Sequence, residues 1–372
     1  MGPSDECLLY AELLANIRQI SLAASLPTPC DASTQLALSA DGQTVQLKHG
    51  RSSFHLTLPA KASLGAKLLP IQDQQKGRTS LAWRLPLDAT SLSTSHQADP
   101  VPWSATDLDP SSGVACRQCR AVVVPSGAVK SWKDLPSENW AEMMEFWHCH
   151  KPDHKHRTDH GEESGEADDR TLAARGYGAS SAISAQEGVG FVDLTTLLLA
   201  ESDCQNVTLG FFDFRAVALT LLKWQIACAS ASCVAPGIPE CLAATIVSTI
   251  SRCGAAKSLI TPLPETIRAG EEHGVARGAI HIWVLNSSIV YSSNGTSRIT
   301  PAIKLLYRPI SRGEAHKMLE EINCDAQEIN LPAQAIGKVV HHLEESNALL
   351  PPTERLFKEW RVGLLTRWEF KA

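Results

Sequence analysis

The stretch "TQLALSADGQTVQLKHG", from Thr34 to Gly50, alternates apolar and polar residues on both sides of Asp41-Gly42. Successive side chains of a strand point to opposite faces, so this period of two predicts half-buried strands and excludes a continuous amphipathic helix. Asp-Gly supplies the positive φ that a tight hairpin turn requires. "SSFHLTLPA" and "TSLAWRLPL" carry the same alternation, and "AVVVP" ends the series. Residues 1–150 therefore read as a β-rich N-terminal lobe. A helix is expected to precede its strands, from Ser4 to about Leu26: Ser4 caps it, Asp5 and Glu6 suit its positive end, and Leu9, Leu13, Leu14, Ile17 and Ile20 recur at helical spacing.

Residues 151–190 are rich in charge, His, Gly and Ser, a composition that buries too little apolar area to offset ordering entropy, and they read as a loop or linker. Residues 191–372 read as a mixed α+β C-terminal lobe. Helices are expected over Phe214–Ser232, Pro239–Lys257, Gly313–Ile322 and Pro332–Glu345, and strands over "AIHIWVLNSSIVYSSNG" and "AIKLLYRPI". Strands and helices segregate in blocks without regular alternation, which gives the fold class α+β.

At 372 residues the chain exceeds what one core usually serves, and an apolar fraction of 44% supports a folded protein of two lobes. The net charge of -6 argues against general affinity for nucleic acid or an anionic membrane. The run "AVALTLLKWQIACASASCVAPGI" is long enough to span a bilayer, but Lys223 and Gln225 interrupt it, so a buried soluble helix is expected. The opening "MGPSDECLLY" lacks the features of a secretory signal, and eleven cysteines form no paired framework. Reduced thiols in the cytoplasm or nucleus are the expectation, with the sequons at Asn206, Asn286 and Asn294 as chance matches.

Cys116 and Cys119 stand at C-x-x-C, a spacing that lets two thiolates meet one tetrahedral zinc ion from a tight turn. Two further ligands are needed. Cys149 and His150 are the nearest candidates, with His148 or His154 as alternatives for the fourth position or Cys149 outside the site, and the competing structural explanation is a pair of buried free cysteines in a sheet. Between these ends, Ser137 can cap a short helix whose Trp140, Met143, Met144 and Trp147 share one face. Core packing explains such a stripe, and so does a protein-binding surface. The run "HCHKPDHKHRTDH" reads as a solvated loop. No phosphate loop, H-E-x-x-H or G-x-S-x-G motif is present, so any chemistry must come from a thiol or a partner.

"CRQC", then "LPSENW" from Leu135 to Trp140, then "WHCH" from Trp147 to His150, resemble the HECT-like family of proteins that bind ubiquitin-conjugating enzymes and are described as ubiquitin ligases. "GYGASSAISAQEGVGFVDLTTLLLAESDCQ" and "FKEWRVGLLTRW" are similar to that family too, so the resemblance spans most of the chain. It implies a protein that binds a ubiquitin-conjugating enzyme and promotes ubiquitin transfer to a substrate. It also implies an association with the zinc-dependent endonuclease that cleaves pre-mRNA at its 3' end. The partner-binding residues it implies are Leu135, Pro136, Ser137, Glu138, Asn139, Trp140 and Trp147, and the Cys149 thiolate is offered to the metal of the nuclease. The chain departs from a true HECT ligase, because its last cysteine, Cys324, lies among Glu320, Glu321 and Asp325, surroundings that do not favour a reactive thiolate.

Overall fold

A computed structural model of the chain describes residues 7–63, 68–71, 76–88, 101–110, 112–135, 185–205, 210–213, 218–228, 235–263, 278–321 and 323–369. It divides into two compact units, one formed by Met1–Pro100 with Ile238–Phe370 and the other by Val101–Gly237. The stretch read as a linker lies outside the described residues as far as 184.

The first unit begins with β1 (Leu8–Leu14), β2 (Gln19–Ser25), β3 (Gln35–Leu38), β4 (Thr44–His49), β5 (Ser52–Thr57), β6 (Leu68–Leu69) and β7 (Ser80–Pro86). The second contains β8 (Val114–Cys116), β9 (Val122–Val124), β10 (Ser131–Asp134), β11 (Val189–Val192), β12 (Thr196–Leu199), β13 (Gly210–Asp213), β14 (Ala218–Leu222) and β15 (Ile226–Cys228). The chain then returns to the first unit with α1 (Ile238–Cys253), β16 (Lys257–Pro262), β17 (Ala279–Ser293), β18 (Thr296–Ile310), α2 (Arg312–Glu320), β19 (Ala326–Leu331), α3 (Ala333–Ala348), β20 (Leu356–Phe357) and β21 (Trp360–Thr366).

The helix expected from Ser4 to Leu26 is instead the antiparallel pair β1 and β2, joined through a 3-10 turn at Ala15–Ile17 with Arg18 in the left-handed region at φ 53°. Leu9 and Leu13 fit spacings of both two and four. Sheet pairing decides between them, since Leu9, Ala11, Ile20, Leu22 and Ala24 all bury on one face of the sheet. The helix expected over Phe214–Ser232 is likewise β14, a 3-10 turn and β15 within the described residues. A continuous apolar run has no period of its own, so pairing of β14 with β12 and β13 sets its conformation. The other helices fall close to their expected places, and the Asp41-Gly42 hairpin is the β3–β4 pair. α1 stops at Cys253, and Lys257, expected at its end, opens β16 instead. No helix among the described residues is long and apolar enough to cross a membrane.

The first unit is mainly β. Its nine-stranded sheet runs β20-β21-β18-β17-β1-β2-β7, so strands of the expected N-terminal and C-terminal lobes share one sheet. The long strand β17 makes this possible: its first half pairs with β16 and its second half with β1. β19 adds to β16 in parallel. A second sheet, β5-β4-β3-β6, contributes Leu36, Leu38, Val45 and Leu47 to the core that also holds Leu81, Trp83 and Leu85 of β7. α3 lies against β16, β17 and β21, and α1 packs on α3 and β21. Burying each such Leu contributes about 1.5–3 kcal/mol.

The second unit holds a five-stranded sheet, β10-β11-β12-β14-β13, and a three-stranded sheet, β15-β8-β9. β10 and β11 run parallel. Lys223, which follows β14, is fully buried, and its ammonium donates to the carbonyls of Pro102 at 2.5 Å and Trp103 at 3.3 Å. The residue that interrupts the apolar run is thus matched to backbone acceptors, as a buried charge requires.

Candidate functional site

Cys116 closes β8 and Cys119 sits in the turn that leads to β9. The turn is narrow. Cys116 N–H donates to the Ala121 carbonyl at 2.8 Å, Arg120 N–H donates back to the Cys116 carbonyl at 2.9 Å, and Arg120 adopts φ 63°. This wraps the backbone around the Cys116 sulfur, which accepts the Cys119 N–H at 3.5 Å. The Cys119 N–H is the main reason the Cys116 thiol is held below the usual cysteine range, with burial acting the other way. Cys116 is buried and Cys119 exposed.

Arg117 anchors the turn from outside. Its N–H bonds the Gln225 carbonyl at 2.9 Å, and its guanidinium reaches the carbonyls of Trp224, Ala235 and Pro236 at 3.3–3.4 Å. Pairing of β8 with β15, with Cys116 opposite Ile226, holds the base of the hairpin. Backbone N–H donors of the turn stabilise thiolate charge at Cys116. Among the described residues no group of three or more His, Cys, Asp or Glu side chains is placed to hold a metal ion.

Leu135 follows β10 directly, its N–H bonded to the Val192 carbonyl at 2.7 Å. Pro136, Ser137, Glu138, Asn139, Trp140, Trp147, Cys149 and His150 lie outside the described residues, as do His148 and His154. Cys324 lies beyond the end of α2, half-buried beside Leu259, Ala279, Ile310 and Ala315, with its S–H directed at the Ala326 carbonyl at 3.6 Å.

A second group, in the first unit, was not legible in the sequence. His281 on β17 stands opposite Arg308 on β18 and Leu259 on β16, while Trp283, two residues on, stands opposite Lys257. The His281 ring meets Trp360 edge-on with centroids 4.7 Å apart, and Trp283 meets Trp360 at 6.4 Å. Each Trp carries a cation: Lys257 Nζ lies 5.4 Å from the Trp283 ring and the Arg308 guanidinium 5.6 Å from that of Trp360. Lys257 pairs with Asp325 at 2.6 Å and Arg308 with Glu314 at 3.0 Å. His281 is 6% exposed, and neither ring nitrogen has a hydrogen-bond partner among the described residues. Burial first, then Arg308 and Lys257, hold its pKa below the ordinary histidine value. Lys257 in turn holds the Asp325 carboxyl below the usual carboxylate range. Residues at 257, 281, 308 and 360 meet only through strand register, and the one sequence signal was "FKEWRVGLLTRW", noted for family likeness alone.

A family model described as HECT-like ubiquitin-conjugating enzyme (E2)-binding matches residues 12–362. An uncharacterized protein of Schizosaccharomyces pombe is 44% identical over 54 residues, which cover 13% of this chain and only 15% of that protein's length. An uncharacterized protein of Saccharomyces cerevisiae is 22% identical over 272 residues, covering 70% of this chain and 71% of the yeast protein. No solved structure matches.

Proposed function

The chain belongs to the HECT-like family of ubiquitin-conjugating-enzyme (E2)-binding proteins, and from this we propose that it is a ubiquitin ligase or adaptor that binds a charged E2 and promotes ubiquitin transfer without a thioester of its own. The observation that carries the reading is the family match across residues 12–362. The non-covalent mechanism is supported by Cys324, which packs beside apolar side chains and donates to a backbone carbonyl. Catalysis then comes from alignment of the E2 thioester with a lysine, an effect of proximity. Reconstituted transfer with a panel of charged E2 enzymes tests it. We expect faster ubiquitin transfer to lysine and no thiol-reducible ubiquitin adduct on this chain. Absence of both E2 binding and stimulation overturns the reading, and a reducible adduct overturns its non-covalent part.

Zinc is proposed at the Cys116–Cys119 turn, supported by the N–H donor to the Cys116 sulfur and the lowered thiol pKa. Cys149 and His150 are the further ligands proposed for it. The alternative reading, a binding and maturation factor for the zinc-dependent pre-mRNA 3'-end endonuclease through residues 135–150, has one supporting feature. The first residue of that segment, Leu135, follows β10 and bonds the Val192 carbonyl at the end of β11.

A further inference from the structure

We propose that His281 is a proton-operated latch on the β20–β21 hairpin: the neutral ring keeps Trp360 docked on the sheet, and the charged ring releases it. The groups that face His281 come from every side of its strand. β16 presents Leu259 and Lys257, β18 presents Arg308, β21 presents Trp360, α2 presents Glu314, and Asp325 precedes β19. Both carboxylates are engaged, Glu314 with Arg308 and Asp325 with Lys257. An imidazolium here is therefore a third cation, buried, with two N–H donors and no acceptor among the described residues.

The relief of that charge has one weak direction. β16 and β18 hold His281 through strand pairing on both sides, and Leu259 is fully buried. The hairpin differs only at its outer end: β20 has two residues, ends the sheet, and leaves Leu356 64% and Phe357 51% exposed, whereas β21 stays paired with β18 and the Trp360 ring packs with Leu306, Leu350, Val362 and Leu364, so the movement is that of the Trp360 side chain and β20. Outward movement of Trp360 admits water to the ring and lets Arg308 separate from it.

The depressed pKa of the buried imidazole gives the sign. As pH falls below about 6.5 the unfolded chain takes up the proton first, so stability is full above that value and is lost down to the lowered folded value. Within that window the folded-to-unfolded ratio falls by up to about tenfold per pH unit.

The test follows imidazole and indole signals of the full chain by NMR from pH 7.5 to 5, with Trp360 identified by Trp360→Phe. The expected result is loss of the ring-to-ring NOEs between His281 and Trp360 with the midpoint of the His281 ring, below about 6.5; an indole shift with those NOEs retained, or a His281 ring that stays neutral to pH 5, overturns the latch. A Trp360 signal that stays still while His281 titrates overturns the latch. So does unchanged pH dependence in both His281→Phe and His281→Gln. Should neither variant fold, the wild-type titration decides by itself.

Discussion

The Glu12 carboxylate on β1 accepts from Lys304 Nζ of β18 at 2.7 Å and from the Tyr10 hydroxyl at 3.0 Å, although 292 residues separate Glu12 from Lys304. The strand between them, β17, supplies Tyr291, stacked on Tyr10 at 5.9 Å. Burial and the neighbouring Glu12 charge push the Tyr10 pKa up, so the phenol stays a donor. Lys304→Met leaves the buried Glu12 carboxylate with the Tyr10 hydroxyl but no cation, and is expected to cost about 3–5 kcal/mol, a fall in Tm of roughly 4–10 °C. Thermal unfolding checks this, and the double variant Glu12→Leu with Lys304→Met should recover most of the loss. If the single variant unfolds like wild type, the pair contributes nothing.

Zinc content separates the readings of the Cys116–Cys119 turn. One zinc per chain is expected by mass spectrometry, lost in Cys116→Ser and in Cys119→Ser, with thermal stability lowered because site formation is coupled to folding. Retention of zinc in Cys149→Ser alone removes Cys149 from the ligand set. Full zinc in Cys116→Ser removes the turn.

Lys223→Met leaves the Pro102 and Trp103 carbonyls of the second unit without their shared donor. Each buried acceptor left unsatisfied costs about 1–3 kcal/mol. Amide exchange should therefore accelerate around residues 101–105 before it does in the first unit; uniform acceleration across the chain would contradict the assignment.

A Cβ on Gly190 would lie 2.3 Å from two ring carbons of Trp132, which packs across the parallel β10–β11 pair. Gly190→Ala is expected to destabilise by about 1–3 kcal/mol through displacement of that ring. Trp132→Leu in the same chain should restore part of it, measured by denaturant midpoint, and no recovery would mean that the backbone itself is strained.

The sequence was a good guide where a period was clean. Alternation around Asp41-Gly42 led to β3 and β4, and amphipathic spacing led to α2 and α3 within a few residues. It misled where two periods coincide, as at Leu9 and Leu13, and where a run such as "AVALTLL" has none. The C-x-x-C turn was legible because its geometry is local. The His281, Trp283, Arg308 and Trp360 group was not, because nothing local records that residues 257, 281, 308 and 360 share one face of a sheet.

Parallel pairing of β10 and β11 sets a rule for redesign of everything between Asp134 and Val189. The chain must leave one end of a strand and re-enter at the opposite end of its neighbour, a span of about 13 Å for four residues, so no two-residue turn can replace the connection. Above that minimum, closure entropy grows only with the logarithm of length, about 0.6 kcal/mol per doubling. The sheet thus sets a floor on the length of this stretch and almost no ceiling, so residues can be added there without re-registering a strand.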